Sequence, residues 1–78
     1  MENKIDQFVI DKVREIRIMK GVSQAELAVN IDLSRGFVGD VENPHHRAKY
    51  NLKHLNKIAI ALNCSIRDFF PEKFIEEE

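Results

Sequence analysis

Between Ser23 and Pro44 lie two short helical patterns joined by only three or four residues, and no other feature restricts the fold of this chain as tightly. The first opens on Ser23-Gln24-Ala25-Glu26, a capping box in which the Ser hydroxyl accepts the Glu26 amide and the Glu26 carboxylate reaches back. Leu27, Ala28 and Ile31 form its inner face. It fades at Asn30-Ile31-Asp32, where Asn and Asp tolerate left-handed backbone. The second is predicted to run from Ser34, its cap, to Asn43, with Pro44 just past its end. Phe37, Val38 and Val41 are its apolar side. So short a connection does not suit long antiparallel arms; it suits two short helices crossing steeply. Ala28 is small enough to let the second pass close over the first.

That second helix carries Gly36 and Gly39, each costing about 1 kcal/mol against Ala in a helix interior. A 78-residue chain buries only about 60 % of its unfolded surface and has little stability to give away. Two glycines here call for close approach, either to a ligand or to a neighbouring helix.

The rest of the chain reads as helix too. Ile5, Phe8, Val9, Val13, Ile16 and Met19 recur at three- and four-residue steps, predicting a helix over 4–19 with Gly21 as its stop. Residues 44–50 read as a basic loop. Asn51 caps a helix reaching Leu62, with Leu52, Leu55, Ile58, Ala59 and Leu62 as its stripe and Asn63 as its C-terminal cap. Ser65 caps a last short helix, stopped by Pro71. The expected fold is all-α, a compact five-helix bundle in one domain spanning 1–78, with its core over about 10–71 and an acidic, frayed tail at 72–78.

Net charge is −1, but its distribution is uneven. Residues 44–57 carry four Lys or Arg and no acid, while 21–43 and 58–78 each have a net charge of −3. A basic block therefore follows directly on the glycine-bearing helix. There is no apolar run of membrane-spanning length and no signal-peptide pattern at the start, and the one cysteine, Cys64, has no internal partner. These features predict a cytoplasmic protein without membrane association. His45, His46, His54 and Cys64 match no common zinc-ligand spacing, and Cys64 has no suggested general base. No metal, cofactor or small-molecule ligand is inferred, and an enzyme is not expected.

Val13-Arg14-Glu15-Ile16-Arg17, then Gly21-Val22-Ser23-Gln24 with Glu26-Leu27-Ala28, then Ser34, Val38 and Glu42-Asn43, followed by Leu55 to Leu62 and Ser65 to Phe70, fall in a characteristic order and spacing. In this, residues 13–62 resemble the helix-turn-helix family of phage Cro and repressor proteins, the XRE type. The resemblance implies a lambda repressor-like domain, with a helix-turn-helix unit at 23–43, that binds double-stranded DNA in a sequence-specific way. It further implies a small transcriptional regulator, a repressor by expectation, with helix 34–43 in the major groove and a homodimer on DNA.

On a helical wheel Arg35, Gly36, Gly39, Asp40 and Asn43 share the polar side of that helix. Arg35 is the first candidate for base reading, since a guanidinium bridges guanine O6 and N7; a surface ion pair or a phosphate contact is its alternative. Gly36 and Gly39 would let the backbone approach DNA, and Ser34 and Asn43 reach base edges or phosphates. Asp40 departs from the pattern: it accepts from cytosine N4, orients Arg35, or signals a partner other than DNA. The family uses the Gln24 position for phosphate, where helix amides favour an anion. Arg47, Lys49, Asn51 and Lys53 form a second phosphate-binding candidate. Tyr50 stacks, packs or gives its hydroxyl to a phosphate. The resemblance also implies a structural pair between Arg17 and Glu42. Phe69 is expected to close the core, while Phe74 and Ile75 belong either there or to a dimer seam. The rival reading, favoured by Asp40 and the Glu76–Glu78 run, is a protein-binding module on the same fold, such as an antitoxin, anti-repressor or adaptor.

Overall fold

The computed structural model describes residues 3–77. It is all-helical, with no strand among the described residues. Helix α1 spans Lys4–Met19, α2 Gln24–Asn30, α3 Phe37–Glu42 and α4 Leu52–Leu62. The fifth predicted helix is instead a 3-10 turn, Ile66–Phe69. Five residues between the Ser65 cap and the break at Pro71 suit a short run of i→i+3 closures. That turn has a capping box of its own, with Asp68 Oδ2 accepting the Ser65 amide at 3.2 Å.

Local chemistry accounts for most of the boundaries. Asn3 Oδ1 accepts the Asp6 amide at the start of α1. Gly21 takes the left-handed φ of +70° that ends it. The Ser23–Glu26 box forms in both directions at 3.1 Å. Asp32 adopts a left-handed φ of +63° after α2, and Asn63 caps α4 with a φ of +51°.

The second helix of the pair is shorter than its sequence predicts. Ser34 does not cap it; the Ser34 carbonyl accepts from Phe37, and the first α-type bond runs from Asp40 to Gly36. Gly36 occupies the N-cap, so only Gly39 of the two glycines lies inside the helix. Residues 34–36 form a tight turn, and the helical wheel drawn through Arg35 and Gly36 does not hold there.

The core gathers Val9, Ile10 and Val13 of α1, Leu27, Ala28 and Ile31, Val38 and Val41 of α3, Leu55, Ile58, Ala59 and Leu62 of α4, and Tyr50 and Phe69. Phe69 is fully buried, which places the 3-10 turn in the core alongside α1 and α4. Two predicted stripe members are corrected. Leu52, on the first residue of α4, is 73 % exposed, and Met19, at the end of α1, also points to solvent. The tail is not frayed throughout: Glu77 Oε1 accepts the Lys4 backbone amide at 2.6 Å, at the N-terminus of α1. Glu78 lies outside the described residues.

Candidate nucleic-acid interface

The α2–turn–α3 unit is held by one carboxylate. Arg17 grips Glu42 with both arms of its guanidinium, Nε to Oε2 at 3.0 Å and Nη2 to Oε1 at 2.8 Å. Its third arm, Nη1, donates to the Val22 carbonyl at 2.8 Å. Only 9 % of the Arg17 side chain and 3 % of the Glu42 side chain meet solvent. Gln24 Nε2 adds a bond to Glu42 Oε1 at 2.9 Å, so the start of α2, the end of α3 and the last turn of α1 meet at one point. Such bidentate, charge-assisted contacts are about twice as strong as neutral ones.

Gly39 finds its reason here. A Cβ at this position would stand 3.2 Å from Gln24 Oε1. Its missing side chain leaves space for the Gln24 amide to reach Glu42. Gly36 faces open space, with nothing within 4 Å of where a Cβ would be.

Val38 and Val41 anchor α3 inward, while Ser34, Arg35, Gly36, Asp40 and Asn43 are exposed. Arg35 does not stack along α3. It lies over a shallow groove against α2 with Ser23, Ala25, Glu26, Val29 and Asn30. Asp40 Oδ2 sits 3.8 Å from His46 Nε2, so the basic loop folds back beside α3. Asn43 Oδ1 accepts the His45 amide at 2.9 Å, fixing the start of that loop. Gln24 is exposed apart from its bond to Glu42, and Arg47, Lys49, Asn51 and Lys53 are exposed as well. None of these side chains is buried, so all are open to solvent.

Tyr50 packs rather than reaching outward. Its ring stands 6.1 Å from Phe37 and 6.5 Å from His54, and Phe37 meets His54 edge-on at 5.0 Å. Its hydroxyl is buried and has no hydrogen-bond partner among the described residues. Burial, reinforced by the Glu42 charge, pushes its pKa far up, so the ring stays neutral.

His54 belongs to the architecture rather than to the charge of the loop. Asn51 Oδ1 accepts the His54 amide at 2.8 Å, and His54 Nδ1 accepts the Asn51 amide at 3.1 Å. Burial, then Lys57 and Lys53, lower its pKa from the ordinary 6.5. Its contribution to stability is therefore whole above about pH 6.5 and is lost as pH falls through the lower folded-state value. The urea midpoint should drop between pH 7 and pH 5 more steeply in the wild type than in His54→Gln, which keeps an N3 acceptor but does not titrate. Parallel pH profiles would refute this role.

Sequence reading missed two members of the site. One is Gln24 as a bridge to Glu42. The other is Arg14, whose Nε lies 3.6 Å from Glu42 Oε1. The available signal was the spacing of Arg14 and Arg17, one helical turn apart on α1.

A short helix on which a second lies, its inner face in the core and its outer face bare, defines the class: a small helical DNA-binding regulator. The helix-turn-helix family model matches residues 13–69, and the chain belongs to that family, of the XRE type. No curated protein matches it in sequence. Among solved structures it is similar to the restriction-modification controller protein C.AhdI from Aeromonas hydrophila. The two are 35 % identical with a TM-score of 0.68, over 81 % of this chain and 92 % of that one. It is also similar to NHTF, a hypothetical transcription factor from Neisseria, at 29 % identity and a TM-score of 0.70, over 87 % of this chain and 75 % of that one. No described helix is long and apolar enough to cross a membrane.

Proposed function

We propose that the protein is a sequence-specific repressor of transcription that sets residues 34–43 into the major groove of double-stranded DNA and works in the cytoplasm as a homodimer. The observation that carries this reading is the division of labour within α3. Val38 and Val41 are buried, while Ser34, Arg35, Gly36 and Asp40 are exposed on a segment clamped through Arg17 and Glu42. The likeness to a controller protein supports the regulatory part. Arg35, Ser34, Gly36, Gly39 and Asp40 serve the bases; Gln24, Asn43, Arg47, Lys49, Asn51 and Lys53 serve the phosphates.

Selection from a random duplex library at near-physiological salt tests this. The wild type should enrich a near-palindromic motif, and binding should weaken steeply with salt through counterion release. Arg35→Ala should relax one motif position, about 1–3 kcal/mol of discrimination, whereas Lys49→Ala should weaken every sequence alike. Equal effects of the two would overturn the role assignment. No enrichment at any salt would favour the protein-binding reading, for which the exposed Asp40 carboxylate beside His46 speaks.

A further inference from the structure

The carboxylate at the centre of the helix-turn-helix is over-supplied with cations. Glu42 Oε1 already accepts Arg17 Nη2 at 2.8 Å and Gln24 Nε2 at 2.9 Å, and Oε2 accepts Arg17 Nε. Both lone pairs of Oε1 are occupied. The Arg14 side chain nevertheless stands with its Nε 3.6 Å from that oxygen and makes no hydrogen bond among the described residues. Two guanidiniums face one carboxylate, so this cluster carries a surplus of one positive charge. The surplus sits on the outer member, because the Arg14 side chain is 59 % exposed whereas that of Arg17 is 9 % exposed.

The same corner holds Gln24, bonded to Glu42, and Asn43, which follows Glu42 in the chain. An anion lying between these two exposed amides meets a buried negative charge at Glu42 unless that charge is more than neutralised. Arg14 does this, and its donors are free to contact the anion directly. As a surface ion pair alone it would be worth little.

We propose that Arg14 is a DNA phosphate-binding residue, held in place by the attraction of Glu42 and completing a clamp with Gln24 and Asn43 at the junction of α1, α2 and α3. This rests on the DNA-binding reading above. One hydrogen of the Gln24 amide is engaged by Glu42, which makes Arg14 the principal charged donor of the corner.

The test is equilibrium binding of the full chain to its selected duplex across a salt series, with Arg14→Gln and Arg14→Lys. Arg14→Gln should weaken binding about three- to tenfold and reduce the slope of log affinity against log salt by about 1, without altering base preference. Arg14→Lys should keep the slope. The thermal midpoint should not move in either variant. An unchanged salt slope in Arg14→Gln, or a fall in thermal midpoint that accounts for the lost affinity, would overturn the inference while leaving the DNA reading intact. A wild type that binds no duplex at any salt would overturn both.

Discussion

Glu42→Ala should lower the unfolding free energy by about 3–5 kcal/mol, because it leaves the buried Arg17 guanidinium without its counter-charge. Glu42 receives four cationic or amide contacts from two other helices, α1 and α2, and its side chain is 3 % exposed. In a domain of this size each kcal/mol moves Tm by about 4–8 °C, so the midpoint should fall by at least about 12 °C. Arg17→Ala should cost a similar amount, since it strands the carboxylate and also frees the Val22 carbonyl. The double variant Arg17→Met with Glu42→Leu should recover much of the loss, because removing both charges removes the desolvation penalty with them. Thermal unfolding followed by circular dichroism reads all three. A loss below about 1 kcal/mol for Glu42→Ala would mean that the pair is solvated in practice and does not hold the unit together.

The second large effect lies at the other end of the fold. Phe69→Ala should cost about 3–5 kcal/mol, the range for emptying a buried aromatic site. Phe69 is fully buried, and it ties the 3-10 turn to α1 and α4. Phe74→Ala, at a side chain 84 % exposed, should change monomer stability by no more than about 0.5 kcal/mol. The two variants therefore separate core closure from any role in association. If Phe74 belongs to a dimer seam, its substitution should make Tm depend on protein concentration differently from the wild type. A large, concentration-independent loss at Phe74 would show that the tail is part of the core.

What could be read from the sequence was what is decided within one turn of chain. The Ser23–Glu26 box, the left-handed Asp32 and the Asn63 cap all follow from residues at most three apart. The inner faces of α2 and α3 were legible because Leu27, Ala28, Ile31, Val38 and Val41 keep a helical period with no polar interruption. The α1 stripe was misjudged at its edges. The buried surface there runs through Val9, Ile10, Val13 and Arg17, and a charged residue at a core position hides the true centre of the face. Leu52 has the right period but stands on the first residue of α4, where no neighbouring element covers it. Ser34 is a good capping residue, yet the turn to Phe37 tightens that segment and moves the helix start beyond it. The contacts that sequence reading missed join residues far apart in the chain. Gln24 to Glu42 spans 18 residues, and Lys4 to Glu77 spans 73. A glycine packed against a distant glutamine looks, in sequence, the same as one that faces a ligand.

The six-residue length of α3 has a consequence for how such a protein changes over time. A helix this short, with a glycine inside it, does not hold its shape alone and takes it from Val38, Val41 and the Glu42 clamp. The side chains that face outward, at 34, 35, 36 and 40, lie outside the core and the Glu42 clamp. Exchange there disturbs the scaffold less than at position 39, where a Cβ would press on the Gln24 side chain at 3.2 Å. A lineage of such proteins can therefore diverge over its exposed α3 surface through a handful of codons while its folded framework stays the same.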